Sequence, residues 1–204
     1  MSKADEQTGG FIMQTMILLG EGYEEVEAIT VIDYLRRADI PVDIVSINEG
    51  LSTLGDHGIE IMADKMFDDI DVDAYDMVIT PGGRPDAEKL AGDKRVTDLI
   101  AKQYDNQKYI ASICASPIVL NAAGIAGDLD GTNYPGFEDR VNYKHFHEDI
   151  TFYDADHKVL TSRGPATAVY FALDIIKLLK GEAAAEKIAD ALLLPMVEKG
   201  AKEA

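Results

Sequence analysis

Short, continuous apolar runs alternate along this chain with longer stretches whose apolar residues recur every three or four positions. Residues 16–19, 42–47, 77–80 and 109–113 are brief and rich in β-branched side chains, which predicts buried strands. Between them, Tyr23-Glu24-Glu25-Val26-Glu27 opens a helix running to about Ala38. Its Val26, Ile29, Ile32 and Leu35 form a stripe that either covers the domain's own sheet, the favoured reading, or faces a partner. Further helices are predicted from near Pro85 and over 93–104, with a hairpin through His57-Gly58. Residues 151–153 and 159–162 read as strands around an Asp-Ala-Asp-His turn, and 166–179 and 183–194 as helices. This alternation predicts a doubly wound α/β fold of the flavodoxin-like type, a mostly parallel sheet with helices on both faces. A site is then expected at the carboxyl ends of the strands, where Gly22, Gly82 and Cys114 would converge.

With 204 residues, 47% of them apolar, the chain is long enough for one core, and no linker divides it. The expectation is a single domain over 14–204, preceded by a mobile polar tail over 1–13. A net charge of −18 repels phosphate backbones and anionic lipids, so neither nucleic acid nor membrane is expected as partner. No stretch has the length of a membrane span or the pattern of a signal peptide, and the lone cysteine fits a reducing compartment; the expected location is the cytoplasm.

That cysteine, Cys114, stands where the run 109–113 stops and Ala115-Ser116-Pro117 opens what reads as a helix. A strand-to-helix corner exposes its junction residue, and the unpaired N–H groups of a following helix favour thiolate. The gain is large: an ordinary thiol is roughly 3 per cent ionised at neutral pH, and one lowered to about pKa 6 is about 90 per cent ionised. The competing reading is a small buried residue filling a βα junction. Pro81-Gly82-Gly83 after the strand 77–80 supplies bare backbone donors suited to an oxyanion hole, or is ordinary loop punctuation. Glu24 and Glu25 read as a solvated first helical turn that complements the helix dipole.

Taken together, Gly22-Tyr23-Glu24-Glu25-Val26-Glu27-Ala28, Thr80-Pro81-Gly82-Gly83, Ala111-Ser112-Ile113-Cys114-Ala115-Ser116-Pro117 and residues 160–167, Leu-Thr-Ser-Arg-Gly-Pro-Ala-Thr, resemble the ThiJ/PfpI superfamily, in particular its DJ-one branch. The likeness spans about residues 15–196. The resemblance implies that Cys114 is the nucleophile in a nucleophile elbow and that Glu27 is the carboxyl bonded to its sulfur. It further implies that Gly82, Gly83 and the Ala115 N–H line an anion or oxyanion pocket, with Glu24 beside it. Glu27 would have to be protonated, since a carboxylate beside a thiolate raises the thiol pKa by repulsion. Tyr134 of Gly131-Thr132-Asn133-Tyr134-Pro135 stands where several members carry a histidine; it reads as a packed wall of the pocket, since a phenol is a poor general base at neutral pH. Ala115 after the cysteine, where the peptidase-like branch has histidine, argues against proteolysis.

The activity implied is that of a cofactor-free cysteine enzyme acting on methylglyoxal, glyoxal or their early adducts, a glutathione-independent glyoxalase or a deglycase. The alternative is a redox sensor or stress chaperone working through oxidation of Cys114 to sulfinic acid. A homodimer is expected by analogy. His145 and His147 would share a face of an extended segment, but a solvated loop explains them and no metal is expected. His57 and His157 read as turn residues. Arg163 reads equally as an anion ligand or as half of a buried ion pair.

Overall fold

The structure is a computed structural model that describes residues 13–203; apart from Met13, the tail expected over 1–13 lies outside the described residues. Five strands run parallel and in near-continuous apolar register: β1 (Thr15–Leu19), β2 (Val42–Ser46), β6 (Met77–Thr80), β7 (Tyr109–Ile113) and β11 (Val159–Ser162). With the short β5 (Lys65–Met66) at one edge and β10 (Thr151–Asp154) antiparallel at the other, they form a sheet in the order β10-β11-β7-β6-β1-β2-β5. All five residues of β1 are buried, as a strand covered on both faces requires.

Two helical groups flank this sheet. One comprises α1 (Glu25–Arg37), α6 (Ala168–Lys180) and α7 (Glu182–Ala191); the other comprises α2 (Arg84–Gly92), α3 (Lys94–Asp105) and α4 (Ile118–Ala122). Smaller pieces complete the fold: the hairpin β3 (Ser52–Leu54) and β4 (Glu60–Met62), the pair β8 (Asp130–Gly131) and β9 (His145–Phe146), the turn of helix α5 (Glu138–Val141), and α8 (Leu194–Glu203). This is the doubly wound α/β arrangement expected from the alternation of patterns. Among the described residues no helix is long and apolar enough to cross a membrane.

Three local expectations change. The helical run expected over 183–194 breaks at Leu193, whose φ of 63° ends α7 and turns the chain into α8. The stripe on α1 divides: Ile32 and Leu35 are buried against the domain, whereas Val26 and Ile29 are exposed. Glu25, expected in a solvated first turn, is 3% exposed and serves as an acceptor for the hairpin turn. Its Oε1 accepts from the backbone N–H of His57 (2.7 Å) and of Ile59 (3.3 Å), and its Oε2 lies 2.9 Å from His57 Nδ1. A Cβ on Gly55 would overlap this carboxylate. Tyr23, fully buried, adds a bond from its hydroxyl to the Ile59 carbonyl (2.7 Å), so the hairpin is held to the β1–α1 corner by side chains from both sides of Glu24.

Removing that acceptor should loosen the hairpin before the sheet. Glu25→Ala is expected to cost about 1–3 kcal/mol of stability. Amide hydrogen exchange should show the loss of protection concentrated in residues 52–62, with β1, β6 and β7 unchanged.

Candidate functional site

The site forms where β1, β6 and β7 end. Cys114 follows β7 directly and holds a left-handed backbone conformation, φ 66°, which a non-glycine residue adopts at a cost. Two backbone bonds fix it there: its N–H donates to the Ser162 carbonyl at the end of β11 (2.9 Å), and its carbonyl accepts from the Tyr134 N–H (2.9 Å). The following segment is tighter than the helix expected from sequence. The N–H groups of Ile118, Val119 and Leu120 bond three residues back, and α4 itself has only five residues. The sulfur is therefore served by individual backbone donors, the N–H groups of Ala115 and Gly83, rather than by the dipole of a long helix.

Glu27 is the third residue of α1 and its side chain is fully buried against the β6 loop. Oε2 accepts from the Gly82 N–H at 2.6 Å, while Oε1 is buried without a hydrogen-bond partner of regular geometry. Burial pushes the carboxyl up to about 8; bonds from the Cys114 thiol and the Gly82 N–H oppose this, and the nearby charge of Glu24 adds to it. Glu27 is thus protonated at neutral pH, as the chemistry beside a thiolate requires. Burial also pushes the Cys114 thiol up, and a charged Glu27 would push it further, against the pull of the Ala115 and Gly83 N–H groups. This differs from the depressed thiol expected from sequence, because Cys114 is only 8% exposed and loses most of its hydration. A proton on Glu27 removes the repulsion and puts a donor in its place, so the two groups titrate as one unit.

Gly82 lies between them. A Cβ on it would overlap Glu27 Oε2, and would sit 2.6 Å from Cys114 Cβ and 3.0 Å from Sγ, so only glycine lets the carboxyl and thiol meet. Its N–H, expected as an oxyanion donor, is instead committed to Glu27. Gly83, at φ 95°, keeps the donor role; a Cβ there would overlap the Gly22 carbonyl and lie 2.5 Å from the Glu24 nitrogen. Glu24 caps α1, its Oε1 accepting from the Val26 N–H at 3.4 Å, and its own N–H donates to the Gly82 carbonyl (2.9 Å). Tyr134 contributes its backbone to the elbow, while its ring, 43% exposed, lies against Gly164 and edge-on to Phe137 at 6.3 Å. It forms a rim rather than an enclosed wall.

The remaining polar candidates lie elsewhere. Ligand atoms of Glu24, Glu25 and His57 come within 4.8 Å of one another, yet the Glu25 oxygens are already occupied by the hairpin turn. His145 and His147 flank Asp130, at 2.8 and 3.6 Å, and His147 stacks on Phe152; they are paired with a carboxylate, not merely solvated. His157 caps its turn by bonding Asp154. Arg163 lays its guanidinium over the Phe146 ring at 5.8 Å. A cavity of about 450 Å³ between α6, α7 and α8 is lined by Asp174, Glu182 and Glu186 among others, but by none of the residues at the Cys114 elbow. A second buried acid, Asp86, was not marked by the sequence; it lies in the first turn of α2, beside a Gly-Gly-Arg-Pro string that reads as punctuation.

A carboxyl whose folded pKa exceeds its unfolded one stabilises the chain fully below the unfolded value, and that contribution is lost as pH rises through the folded value. For Glu27 the window runs from 4.5 to about 8, and the loss at neutral pH is on the order of 3 kcal/mol. Glu27→Gln, which needs no proton to stay neutral, should therefore melt higher than wild type at neutral pH, with a gap that shrinks toward acid pH. Parallel melting series across that window check this; a gap independent of pH would mean that Glu27 is ionised in the folded protein.

The DJ-1/PfpI family model matches residues 13–178. Protein dj-1beta of Drosophila melanogaster is 32% identical over 179 residues, covering 88% of this chain and 96% of that protein. A deglycase of Pyrococcus horikoshii is 30% identical over 172 residues, covering 82% of this chain and all of the relative. The solved structure of oxidized Toxoplasma gondii DJ-1 superposes with a TM-score of 0.84 at 32% identity, over 89% of this chain and 98% of that one. With the family model matching most of its length and a relative 32% identical over 88% of it, the chain belongs to the DJ-1/PfpI family.

Proposed function

We propose that this protein is a cytoplasmic, cofactor-independent cysteine enzyme of reactive-dicarbonyl defence, acting on methylglyoxal, glyoxal or the early adducts they form on thiols and amines. The observation that carries this reading is a fully buried Glu27 beside the Cys114 thiol, its Oε2 held by the Gly82 N–H and its carboxyl pushed up to about 8 by burial. The deglycase name of the archaeal relatives supports the substrate class.

In the first step the Cys114 sulfur attacks the aldehyde carbon, forming the C–S bond while the carbonyl electron pair moves to oxygen. The Ala115 and Gly83 N–H groups face the sulfur and are placed to receive the developing oxyanion; the thiol proton leaves to solvent, and the oxyanion takes the Glu27 proton to give the hemithioacetal. Glu27, as carboxylate, then accepts the C1 proton and returns it to C2 by way of the enediol, leaving a hydroxyacyl thioester. Water cleaves the thioester, releasing lactate from methylglyoxal and restoring the thiol. For an adduct, the same pair attacks and releases the carbon from the modified thiol or amine.

A second reading uses the thiol without turnover. A protonated Glu27 donates as well to a sulfinate as to a thiolate, and one structural relative was solved in an oxidized form. Val26 and Ile29 on α1, with Leu54 and Ile59 of the adjoining hairpin, are exposed apolar side chains, and we assign this strip to a twofold contact with a second copy of the chain.

Purified protein should convert methylglyoxal to lactate without added glutathione, Cys114→Ser should abolish the conversion, and Glu27→Gln should reduce it by at least about a hundredfold. No turnover above the Cys114→Ser background would remove the glyoxalase step and leave adduct release or oxidation sensing. For the assembly, light scattering should give twice the chain mass for wild type and the chain mass for a Val26→Glu, Ile29→Glu double variant. A monomeric wild type would sink the twofold contact.

A further inference from the structure

Asp86 has a role that the reaction does not explain. Its side chain is completely buried in the first turn of α2, Oδ1 accepts from the Gly20 N–H at 2.8 Å, and Oδ2 has no hydrogen-bond partner. Burying a carboxyl this way is costly, and a backbone amide could have been satisfied by a cheaper acceptor. The location supplies the reason. Gly20 follows β1 and begins the 20–24 corner that leads into α1 and Glu27, whereas Asp86 lies in the first turn of α2, just past the 81–83 loop that carries Gly82 and Gly83.

These two loops touch along their whole length. A Cβ on Gly20 would lie 2.6 Å from Asp86 Oδ1, and one on Gly22 would lie 3.0 Å from Pro85 Cγ. A Cβ on Gly83 would meet the Gly22 carbonyl and the Glu24 nitrogen. The loops are joined at one end by the Glu24 N–H on the Gly82 carbonyl (2.9 Å) and at the other by Asp86 on Gly20. Two of the groups that meet at Cys114, the Glu27 carboxyl and the Gly83 N–H, arrive on opposite loops of this pair.

We propose that Asp86 is a positioning residue for the thiol site, fastening the 20–24 corner to the start of α2 so that Glu27 and the Gly83 N–H meet the Cys114 sulfur in register. Burial holds its pKa well above the ordinary carboxylate value, against the Gly20 bond and the charge of Lys89, with Glu21 adding to the rise. The inference rests on Cys114 and Glu27 forming a reactive pair, but not on which substrate they act upon.

The test is the pH profile of Cys114 alkylation by iodoacetamide, which needs no substrate, in folded protein with melting recorded alongside. Asp86→Asn keeps an acceptor for Gly20 and stays neutral, and should retain the wild-type profile. Asp86→Ala removes the acceptor and should shift the profile up by about one pH unit, about tenfold in thiolate near neutrality. If Asp86→Ala does not fold, Asp86→Ser takes its place, with a hydroxyl too short to reach Gly20 and the same shift expected. A folded Ala or Ser variant with an unchanged profile overturns the proposal, as does an Asn variant shifted as far as they are. Absence of methylglyoxal turnover in all variants would bear on the substrate assignment alone, since alkylation reads the thiol directly.

Discussion

The site depends on one contact: the Gly82 N–H on Glu27 Oε2. It fixes the carboxyl of α1 against the loop after β6, beside the thiol. For the contact to form, position 82 must lack a side chain, and α1 must start close enough to β6 for its third residue to reach across. Cys114 must then turn back through a left-handed conformation to present its sulfur. Each condition is met by a different strand end, which is why a parallel sheet, with every strand emptying at the same edge, is a suitable frame.

The arrangement works against the stability of the fold. A residue at φ 66° and a carboxyl held neutral by burial are each unfavourable relative to an ordinary loop. The surrounding structure holds them through bonds that allow little relaxation: Ser162 at the end of β11 and Tyr134 in the loop after β8 hold the elbow, and the Ser116 hydroxyl reaches the Pro81 carbonyl. Strain and neutralised charge gathered in one place, in a domain otherwise built from consistent strands and helices, are the physical mark of a functional site.

Much of this was legible in the sequence, for a definable reason. β6, β7 and β11 are legible with the bounds they have because continuous apolar runs ended by turn residues leave little freedom, and Cys114 and Gly83 stand out because they follow strand ends; Glu27, inside a helical turn, is marked only by the family resemblance. What escaped depends on depth and distant partners. The spacing of α1 marks an apolar stripe but does not say that Val26 and Ile29 stay outside while Glu25 goes in; that follows from a hairpin some thirty residues on, whose amides need an acceptor. Asp86 was invisible for the same reason, its partner Gly20 lying 66 residues earlier. The helix expected to open at Ala115 starts only at Ile118, because local composition gives no sign of the three-residue bonding that follows the elbow.

Tyr134 shows how far the geometry constrains the chemistry. Where the family resemblance implies an imidazole in several members, this chain has Tyr134, which is 43% exposed and whose backbone N–H bonds the Cys114 carbonyl. A second proton relay on that side of the sulfur would have to pass through a phenol facing outward. The proton inventory of the site therefore comes down to the coupled pair: the Cys114 proton leaves to solvent, Glu27 gives its own to the substrate oxygen, and Glu27 must recover a proton before the next cycle. A carboxyl tuned to about 8 suits both halves of that exchange, since near neutral pH it is mostly protonated yet close enough to its midpoint to release and regain the proton at little cost.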